Sequence, residues 1–469
     1  MIEPEKMDKI VSLAKRRGFV YPGSEIYGGL ANSWDYGPLG TELKNNIKQL
    51  WWKRFVQQRP DMVGIDAALI MNPKVWDASG HLATFTDPLV ECKNCHSRFR
   101  ADSLIASDLL HKNDGATIAT IIPADIEKQL EILKEVKCES CGKIDWDKPK
   151  NFNLMLKTFL GPSEDQTSVA YFRPETAQAM FIQFKNVQTT SRKQIPFGIA
   201  QVGKAFRNEI TPGNFVFRTR EFEQMEIEYF IPVPKQDSDW NNYFESWKEQ
   251  MISWMRDDLQ LNMDNVHELE VPAEDRAHYS KRTLDFEYDY PFGTKELYGL
   301  AYRGDFDLQN HIKASGQDLS YLDPQTNEKY VPHVIEPTWG VDRSFLAVLL
   351  DHYKEEGDGD AKRIWLSLPP KLAPYKAAVF PLLKNKPELV EKARGIFDEL
   401  SKHFMTAWDD RGNVGKRYYS QDEIGTPFGI TVDFDTLEDN TVTVRDRDTA
   451  QQVRINIDDL VNYIITRIN

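Results

Sequence analysis

AFRNEITPGNFVFRTREFEQMEIEYF, residues 205–230, is the stretch that decides the fold predicted from this sequence. Two segments of β-strand character flank the turn cluster at residues 211–214, Thr-Pro-Gly-Asn, which predicts an antiparallel hairpin with a long loop. Because side chains alternate along a strand, Met225, Ile227 and Tyr229 would share an apolar face. The sequence therefore predicts an antiparallel sheet that packs one face on a core.

The opposite face of the second strand is polar. At alternating positions it holds Arg218, Arg220, Phe222, Gln224, Glu226 and Glu228. On the first strand Arg207 and Glu209 would share a face. Arginine matches phosphate or carboxylate oxygens in two-point contacts, and a flat Phe ring can stack on a purine. A solvated face with ion pairs would have the same pattern, so the pattern alone leaves both interpretations open.

Several sequence blocks resemble a known family. FRNE (206–209), a loop and R-x-x-x-F (218–222) resemble motif 2 of class II aminoacyl-tRNA synthetases, and with EFEQME (221–226) the stretch is similar to the homodimeric glycyl-tRNA synthetase family. The resemblance covers nearly the whole chain and includes YGGLANSWDYGPLG (27–40), RPETAQ (173–178), KELYGLAYRGDFDL (295–308) and EPTWGVDR (336–343). It implies an α/β (α+β) fold: a class II antiparallel sheet flanked by helices, a zinc-type insertion and a C-terminal mixed α/β anticodon-binding domain.

Composition limits the class of protein. A chain of 469 residues is expected to form about two to four domains with a large core. Its net charge of -14 argues against an indiscriminate polyanion binder, although a local basic track would be enough for RNA. No apolar run approaches the roughly 20 residues that span a bilayer, and MIEPEKMDKI is not a signal peptide. We expect a cytoplasmic enzyme without a membrane partner.

The four cysteines form two C-x-x-C pairs, Cys92 with Cys95 and Cys138 with Cys141. In a cytosolic chain this spacing favours a tetrathiolate zinc site over disulfides. The long gap between the pairs requires an insertion that loops out. Two unrelated thiol pairs, or a site without metal, are the alternatives.

The predicted domain organisation has two parts. Residues 1–368 form the catalytic domain, with one insertion at about 88–165 that holds the cysteine pairs and a predicted helix at 125–136, and a second insertion at about 235–330. After Pro369-Pro370, residues 369–469 alternate strands with helices, as a small α/β domain does. The resemblance implies that this second part binds the anticodon.

A long helix is predicted from Pro38, because apolar residues recur at helical spacing as far as Phe55. An extended segment, 62–71, follows it. The pattern alone predicts a core helix, whereas the resemblance implies motif 1, which forms the dimer interface in class II synthetases. The Trp51-Trp52 pair favours the interface, and a homodimer is expected.

The resemblance also implies residues that bind ATP with Mg²⁺. Arg207 would contact the α-phosphate, Arg218 and Arg343 the β/γ end, Phe222 would stack on adenine, and Glu296 would hold Mg²⁺. Arg207 and Arg343 are the predicted catalytic residues, and pairing with Asp342 or another carboxylate is the structural alternative for Arg343. The predicted ATP contacts are Arg207, Asn208, Glu209, Phe217, Arg218, Thr219, Arg220, Glu221, Phe222, Glu296, Leu297, Gly340, Val341, Asp342 and Arg343.

Glycine has no side chain to grasp, so its ammonium group and the lack of room must select it. The carboxylates of Glu175, Glu226 and Glu336 would converge on the ammonium group, and the bulk of Gln224, Thr338 or Trp339 would fill the space of a side chain. The predicted glycine contacts are Arg100 (in the RFRAD run), Glu175, Phe222, Glu223, Gln224, Met225, Glu226, Glu336, Thr338 and Gly340.

The resemblance implies activation of glycine with ATP to glycyl-adenylate and transfer of glycine to the 3′ end of tRNA(Gly). One alternative is another class IIa synthetase, such as a threonyl or prolyl enzyme. A second is a non-catalytic, synthetase-like accessory protein that binds nucleic acid, which should have lost the ATP arginines. A zinc-dependent nucleic-acid-binding module is the third alternative, and it rests on the cysteines alone.

Overall fold

A computed structural model describes residues 5–112, 126–357 and 362–468 of the chain. Its α-helices are α1 (Glu5–Arg17), α2 (Pro38–Trp52), α3 (Pro73–Ala78), α4 (His81–Thr84), α5 (Ala101–Lys112), α6 (Ile126–Leu133), α7 (Ala177–Ser191), α8 (Asp237–Ser253), α9 (Phe306–Ser315), α10 (Val341–His352), α11 (Pro387–Leu400), α12 (Val414–Glu423), α13 (Phe434–Asp439) and α14 (Leu460–Ile468).

The strands are β1 (Val20–Pro22), β2 (Trp34–Tyr36), β3 (Met62–Gly64), β4 (Ile70–Met71), β5 (Thr86–Glu91), β6 (Arg98–Arg100), β7 (Lys150–Asn153), β8 (Lys157–Phe159), β9 (Val169–Phe172), β10 (Phe197–Phe206), β11 (Glu221–Ile231), β12 (Val266–Glu270), β13 (Arg282–Tyr290), β14 (Gly293–Gly304), β15 (Tyr321–Leu322), β16 (Lys329–Tyr330), β17 (His333–Gly340), β18 (Tyr353–Glu356), β19 (Arg363–Leu366), β20 (Ala377–Pro381), β21 (Thr406–Trp408), β22 (Phe428–Val432), β23 (Thr441–Asp446) and β24 (Gln452–Asn456).

The central sheet has seven strands in the order β12-β13-β14-β17-β11-β10-β3, and all neighbours are antiparallel except β10 and β3. The predicted hairpin is confirmed as β10 and β11. The prediction that Arg207 and Arg218 lie on its strands is wrong, because β10 ends at Phe206 and β11 begins at Glu221. The turn-forming segment between them, with a short 3₁₀ helix at Phe215–Phe217, is longer than expected.

The apolar face of β11 packs on the main core. Met225 and Ile227 are fully buried there, together with residues of α2, α8 and α10. Trp51 on α2 is also fully buried, and its ring lies 5.4 Å from the ring of Trp339. The use of Trp51 as a sign of a dimer interface is therefore wrong, because the chain's own core covers it. The aromatic helix α8 contributes Phe244 and Trp247 to the same core.

A lobe next to this sheet contains the cysteines. Strands β6, β5 and β7 form its sheet, and α5 and α6 pack beside a small core that includes Trp146. The helix predicted at 125–136 corresponds to α6, and position 125 lies outside the described residues. The predicted insertion at 88–165 also includes 113–125, which lie outside them.

Strands β12, β13 and β14, which belong to the central sheet, fall within the predicted second insertion, 235–330. The C-terminal part has a five-stranded sheet, β21-β20-β22-β23-β24, with β20 parallel to β21 and β22. The predicted mixed α/β architecture is confirmed, although β21, β24 and α12 were not expected. The boundaries at 368 and 369 stay a prediction.

Across the three described ranges, no helix has both the length and the apolar character that crossing a membrane needs.

Candidate active site

A cavity of about 180 Å³ opens at the polar face of the central sheet, where β11, β14 and β17 meet the start of α10. Its lining residues are Arg207, Glu209, Phe217, Arg218, Thr219, Phe222, Glu223, Gln224, Glu296, Leu297, Tyr298, Thr338, Gly340, Asp342 and Arg343. The three predicted phosphate-binding arginines therefore face one shared space.

Some predicted ATP contacts lie elsewhere. Arg220 and Glu221 line a neighbouring groove instead of the cavity. The backbone N–H of Asn208 donates to the carbonyl of Leu154 (2.8 Å), which ties this residue to the segment before β8. Val341 is fully buried in the main core, so its side chain does not reach the cavity.

Arg343 lies in the first turn of α10, as predicted. Its Nη1 is 3.1 Å from the carboxylate of Glu296 on β14, and its guanidinium lies 4.7 Å from the ring of Phe217. The alternative, an ion pair with a carboxylate, is seen with Glu296 and not with Asp342, because the Asp342 carboxylate accepts hydrogen bonds from Lys44 (2.7 Å) and from Tyr36. The charge of Arg343 lowers the pKa of Glu296, which is thus ionised at neutral pH.

Arg207 lies between the cavity and the segment before α7. Its Nε donates to the carbonyl of Pro174 (3.1 Å), and its guanidinium lies 5.2 Å from the ring of Phe222. Among the residues that the structure describes, its terminal nitrogens have no hydrogen-bond acceptor. The fork of this arginine is therefore available to an anionic ligand.

Two buried acceptors on the cavity wall have no donor. These atoms, Glu209 Oε2 and Gln224 Oε1, receive no hydrogen bond within the described part of the chain. The nearest cation to Glu209 is Arg218, whose Nε is 3.9 Å from that oxygen. Since buried polar atoms are normally paired, these atoms indicate a ligand that donates N–H groups.

Behind Thr338, which lines the cavity, lies a cluster of buried acids. Thr338 Oγ1 donates to Glu226 (3.0 Å), and the backbone N–H of Thr176 donates to the same carboxylate (3.1 Å). Burial and the nearby charge of Glu175 raise the pKa of Glu226. The predicted acids Glu175, Glu226 and Glu336 therefore lie together, next to the cavity and not on its wall.

Glu175 precedes α7 and is held by its neighbours. One oxygen accepts from Gln178 Nε2 (2.9 Å), and the other lies 3.3 Å from His81 Nε2. Burial acts to raise the pKa of Glu175, but the charge and hydrogen bond of His81 together with Arg303 outweigh it, and the pKa is lowered. Glu175 thus stays ionised at neutral pH.

Sequence reasoning missed the cation of this cluster. Arg303 is fully buried and donates to Glu336 (2.7 Å) and to Asp307 (2.8 Å). Gln178 donates to both Glu175 and Asp307 (2.9 Å each), which joins the two halves of the network. The one available signal was the charged run YRGDFD in the block 295–308, where Arg303 and Asp307 are spaced i, i+4.

Several predicted glycine contacts are not at this cluster. Arg100 pairs with Asp87 (2.9 Å) and Asp102 (2.6 Å) on the side of the cysteine lobe near Glu209 of the cavity wall, and its role in glycine binding stays a prediction. Met225 is fully buried in the hydrophobic core, and Trp339 is fully buried in the same core. Trp339 therefore cannot fill the space of an amino-acid side chain, whereas Gln224 and Thr338 line the cavity.

The four cysteines come together as a possible metal site, with all four Sγ atoms within 4.8 Å of one another. Cys92 Sγ lies 3.7 Å from Cys141 Sγ, and Cys95 Sγ lies 3.6 Å from Cys138 Sγ. Tetrahedral zinc with bonds of about 2.3 Å places its sulfur ligands about 3.8 Å apart. The donor set and its spacing therefore fit zinc.

A groove of about 700 Å³ adjoins the cavity and shares Thr219, Phe222, Glu223 and Asp342 with it. Its other walls provide basic and aromatic side chains: Lys44, Lys48, Lys204, Arg220, Trp34 and Phe206. Lys44 lies between the two spaces, 3.1 Å from Glu223 and 2.7 Å from Asp342.

Comparison with known proteins gives matches along most of the chain. The description "tRNA synthetase class II core domain (G, H, P, S and T)" matches residues 162–353, and "Anticodon binding domain" matches residues 376–467. The chain is 54% identical to a protein of Clostridium acetobutylicum named glycine--tRNA ligase, over 100% of each chain. It is also 54% identical to the protein of that name from Alkaliphilus oremlandii, over 99% of each. For the Geobacillus thermodenitrificans protein of that name, identity is 52% over 98% of this chain and 97% of the relative.

Proposed function

The chain belongs to the glycine–tRNA ligases, with a class II core and an anticodon-binding domain, and we propose that its arginine-lined cavity joins glycine to ATP. In this first step the glycine carboxylate attacks the α-phosphorus in line and pyrophosphate leaves. The observation that supports this best is one cavity with Arg207, Arg218 and Arg343, two unpaired acceptors and a carboxylate cluster behind Thr338.

The arginines neutralise charge that moves during the reaction. Both substrates are anionic, so catalysis requires positioning and electrostatic stabilisation and no protein nucleophile. The free fork of Arg207 faces the reacting phosphate, while Arg218 and Arg343 bind the leaving pyrophosphate. Glu209 and Gln224 accept hydrogen bonds from ligand N–H groups, which gives adenine its place beside Phe222.

Magnesium would bind at the Glu296 carboxylate, because hard cations prefer carboxylate oxygens, and would neutralise phosphate charge. Glu296 is ionised and lies on the cavity wall, so its chemistry fits this role. In the structure Arg343 pairs with Glu296 (3.1 Å), and both residues lie where the outer phosphates of the nucleotide would bind.

The acid cluster selects glycine by its ammonium group. Glu175 is ionised and lies beside Glu226, so the two buried acids would attract an ammonium group to the part of the cavity near Thr338. Gln224 and Thr338 occupy the adjoining wall and leave no space for a side chain. Larger amino acids are excluded by contact, which discriminates more strongly than the loss of a methyl group.

In the second step a terminal ribose hydroxyl of tRNA(Gly) attacks the adenylate carbonyl, and AMP leaves. The groove beside the cavity suits a single-stranded 3′ end, because it combines basic side chains with the rings of Trp34 and Phe206. The residues 376–467 bind the anticodon.

We further propose a structural zinc ion at the four cysteines, a homodimer and a cytoplasmic location. The sulfur spacing supports zinc. The edge position of β3, with partly exposed apolar residues Leu69 and Ile70 nearby, supports a second copy along this side of the sheet. Paired thiols that suit a metal better than disulfides support a reducing compartment.

Amino-acid-dependent ATP–pyrophosphate exchange tests the proposed function. We expect exchange with glycine and none with alanine, serine, threonine or proline at the same concentration. Exchange with threonine or proline would identify a different class IIa enzyme. No exchange with any amino acid would indicate the non-catalytic accessory protein.

A further inference from the structure

We propose that Glu228, which the reaction described above does not use, carries a proton and donates it in a hydrogen bond to the Glu336 carboxylate. Glu228 is then a positioning residue that fixes Glu336 for the glycine ammonium group. This inference rests on the proposed role of Glu336, and its experiment separates the two.

The register of the sheet places Glu228 opposite Glu336. Strands β11 and β17 pair Glu226 with Thr338 and Tyr229 with Ile335, so position 228 falls across from position 336. One carboxylate oxygen each from Glu226, Glu228 and Glu336 lies within 4.8 Å of the others. Three acidic groups therefore share one buried space on the polar face of the sheet.

Glu228 differs from its two neighbours in having no hydrogen-bond donor. It is fully buried, and neither of its oxygens receives a hydrogen bond from the described residues. Glu336, by contrast, accepts from Arg303 (2.7 Å), and Glu226 accepts from Thr338 (3.0 Å). An ionised carboxylate without donors in a dry interior is far more costly than a neutral acid, so Glu228 keeps its proton.

The surrounding charges favour the same state. Glu228 is faced by Glu226 on its own strand, Arg303 on β14, Glu336 on β17 and Asp307 on α9. Tyr279 stacks on Arg303, and Glu175 lies behind Glu226 beside His81. Arg303 already neutralises Asp307 and Glu336, and little positive charge is left for another carboxylate.

Burial, and after it the charge of Glu336, raise the pKa of Glu228 well above its ordinary value, against the opposing effect of Arg303. Burial raises the pKa of Glu336 as well, but of the two acids only Glu336 accepts a hydrogen bond from Arg303, so the negative charge is on Glu336 and the proton on Glu228. A neutral Glu228 has one O–H to donate, and the Glu336 carboxylate is the acceptor that the strand register brings opposite to it. Together with the bond from Arg303, this hydrogen bond fixes the orientation of Glu336.

Two replacements of Glu228 show whether this position must donate a hydrogen bond or carry a negative charge. Glu228→Gln keeps the shape and an N–H donor but cannot ionise, whereas Glu228→Leu keeps the volume and removes the donor. In glycine-dependent exchange at pH 7, we expect Glu228→Gln to leave the glycine KM within about threefold of the parent chain. Glu228→Leu should raise it about tenfold, as the loss of one hydrogen bond does, with the ATP KM unchanged.

Glu336→Gln is the matched control, because it removes a charge that the proposed function requires. We expect it to raise the glycine KM at least about tenfold. If Glu336→Gln leaves the glycine KM unchanged, the proposed role of Glu336 fails. If Glu336→Gln and Glu228→Gln raise it equally, Glu228 is needed as an anion, for example to hold a cation, and the inference is wrong.

Infrared difference spectroscopy of the substrate-free protein tests the proton directly and does not depend on activity. The spectrum of the parent chain minus that of Glu228→Gln should contain the C=O stretching band of a protonated carboxylic acid, which shifts in D₂O. A difference spectrum with carboxylate bands instead would overturn the inference. This measurement does not use the Glu228→Leu variant, so it tests the inference even if that variant does not fold.

Discussion

At the scale of single residues, Arg207 is the side chain whose loss we expect to damage the proposed reaction most. Its terminal nitrogens are unpaired within the described chain, and its Nε is already held by Pro174. We expect Arg207→Ala to lower kcat/KM for pyrophosphate exchange by about 2–4 kcal/mol of activation free energy, the effect of losing one preorganised charge contact.

Arg192→Ala, at an exposed position after α7, is the control for loss of a guanidinium and should exchange at the parental rate. If Arg207→Ala also retains the parental rate, the assignment of Arg207 is wrong.

Asp285, on β13 opposite Gly299, makes stability depend on pH. Burial and the charges of Glu296 and Glu287 raise the pKa of Asp285 to about 7, although Arg343 acts to lower it. Between about pH 4 and pH 7 Asp285 is protonated in the folded state but ionised in the unfolded state. The free energy of unfolding that the neutral side chain contributes at low pH is therefore lost as the pH rises from about 4 to about 7. Asp285→Asn should therefore stabilise the protein by on the order of 1 kcal/mol at pH 8, and by less at pH 5.

Urea unfolding of the substrate-free protein at both pH values measures this change. Asp289→Asn, on the same strand, is the control: Thr294 and His267 lower the pKa of Asp289 despite its partial burial, so this replacement should not stabilise at pH 8. Equal effects of Asp285→Asn at pH 5 and pH 8 would contradict the expected titration.

The sequence predicted individual residues well where a local motif contained them. Arg207, Arg218 and Arg343 all face one cavity, as the motifs implied. Arg303 was missed, because its partner Glu336 is 33 positions away and the two meet only when β14 pairs with β17. Likewise, the alternation pattern put Glu228 on the polar face but could not reveal that its oxygens lack donors.

At the scale of elements, the cysteine lobe is the part whose stability the proposed zinc ion would support. Cys92 and Cys138 belong to its small core, and few other apolar residues hold β5 to α6. We expect about one zinc ion per chain in the purified protein, and its loss after Cys95→Ser or treatment with a strong chelator. Because zinc binding supplies folding free energy, the lobe should then be cleaved rapidly by proteases between residues 86 and 153.

Metal analysis and limited proteolysis measure these outcomes, with Ser140→Ala, an exposed change between the second cysteine pair, as the control. An unchanged cleavage pattern after complete removal of zinc would show that the lobe is stable without metal.

Helices and strands with a strong hydrophobic period could be predicted from the sequence, whereas short elements could not. Helix α2 followed from its apolar spacing, and α10 from the strand and glycine before it. Strand β21 has three residues and depends on pairing with β20, 29 positions earlier at Ala377 and Thr406, so no local pattern marked it. The end of β10 was also missed, because Arg207 bonds to Arg220 within the hairpin but also pairs with Met155 and Pro174 outside it.

At the scale of the whole molecule, contacts join the C-terminal sheet to the rest of the chain. Arg16 on α1 pairs with Glu423 on α12 (2.9 Å), and Arg363 on β19 pairs with Asp422 (2.9 Å). Asp422 also accepts from Arg445 (2.9 Å), so one buried carboxylate connects the two parts. This connection sets the distance between the cavity and the surface that binds the anticodon.

In the proposed reaction ATP and glycine bind at adjacent but distinct sites, and the Glu175→Ala variant tests this most directly. Steady-state exchange kinetics should give a glycine KM about 10–100-fold above that of the parent chain, because a charged hydrogen-bond partner is lost, and an ATP KM within about threefold. The exposed replacement Glu274→Ala should change neither constant. A parental glycine KM in folded Glu175→Ala would contradict the claim that this acid cluster binds the amino acid.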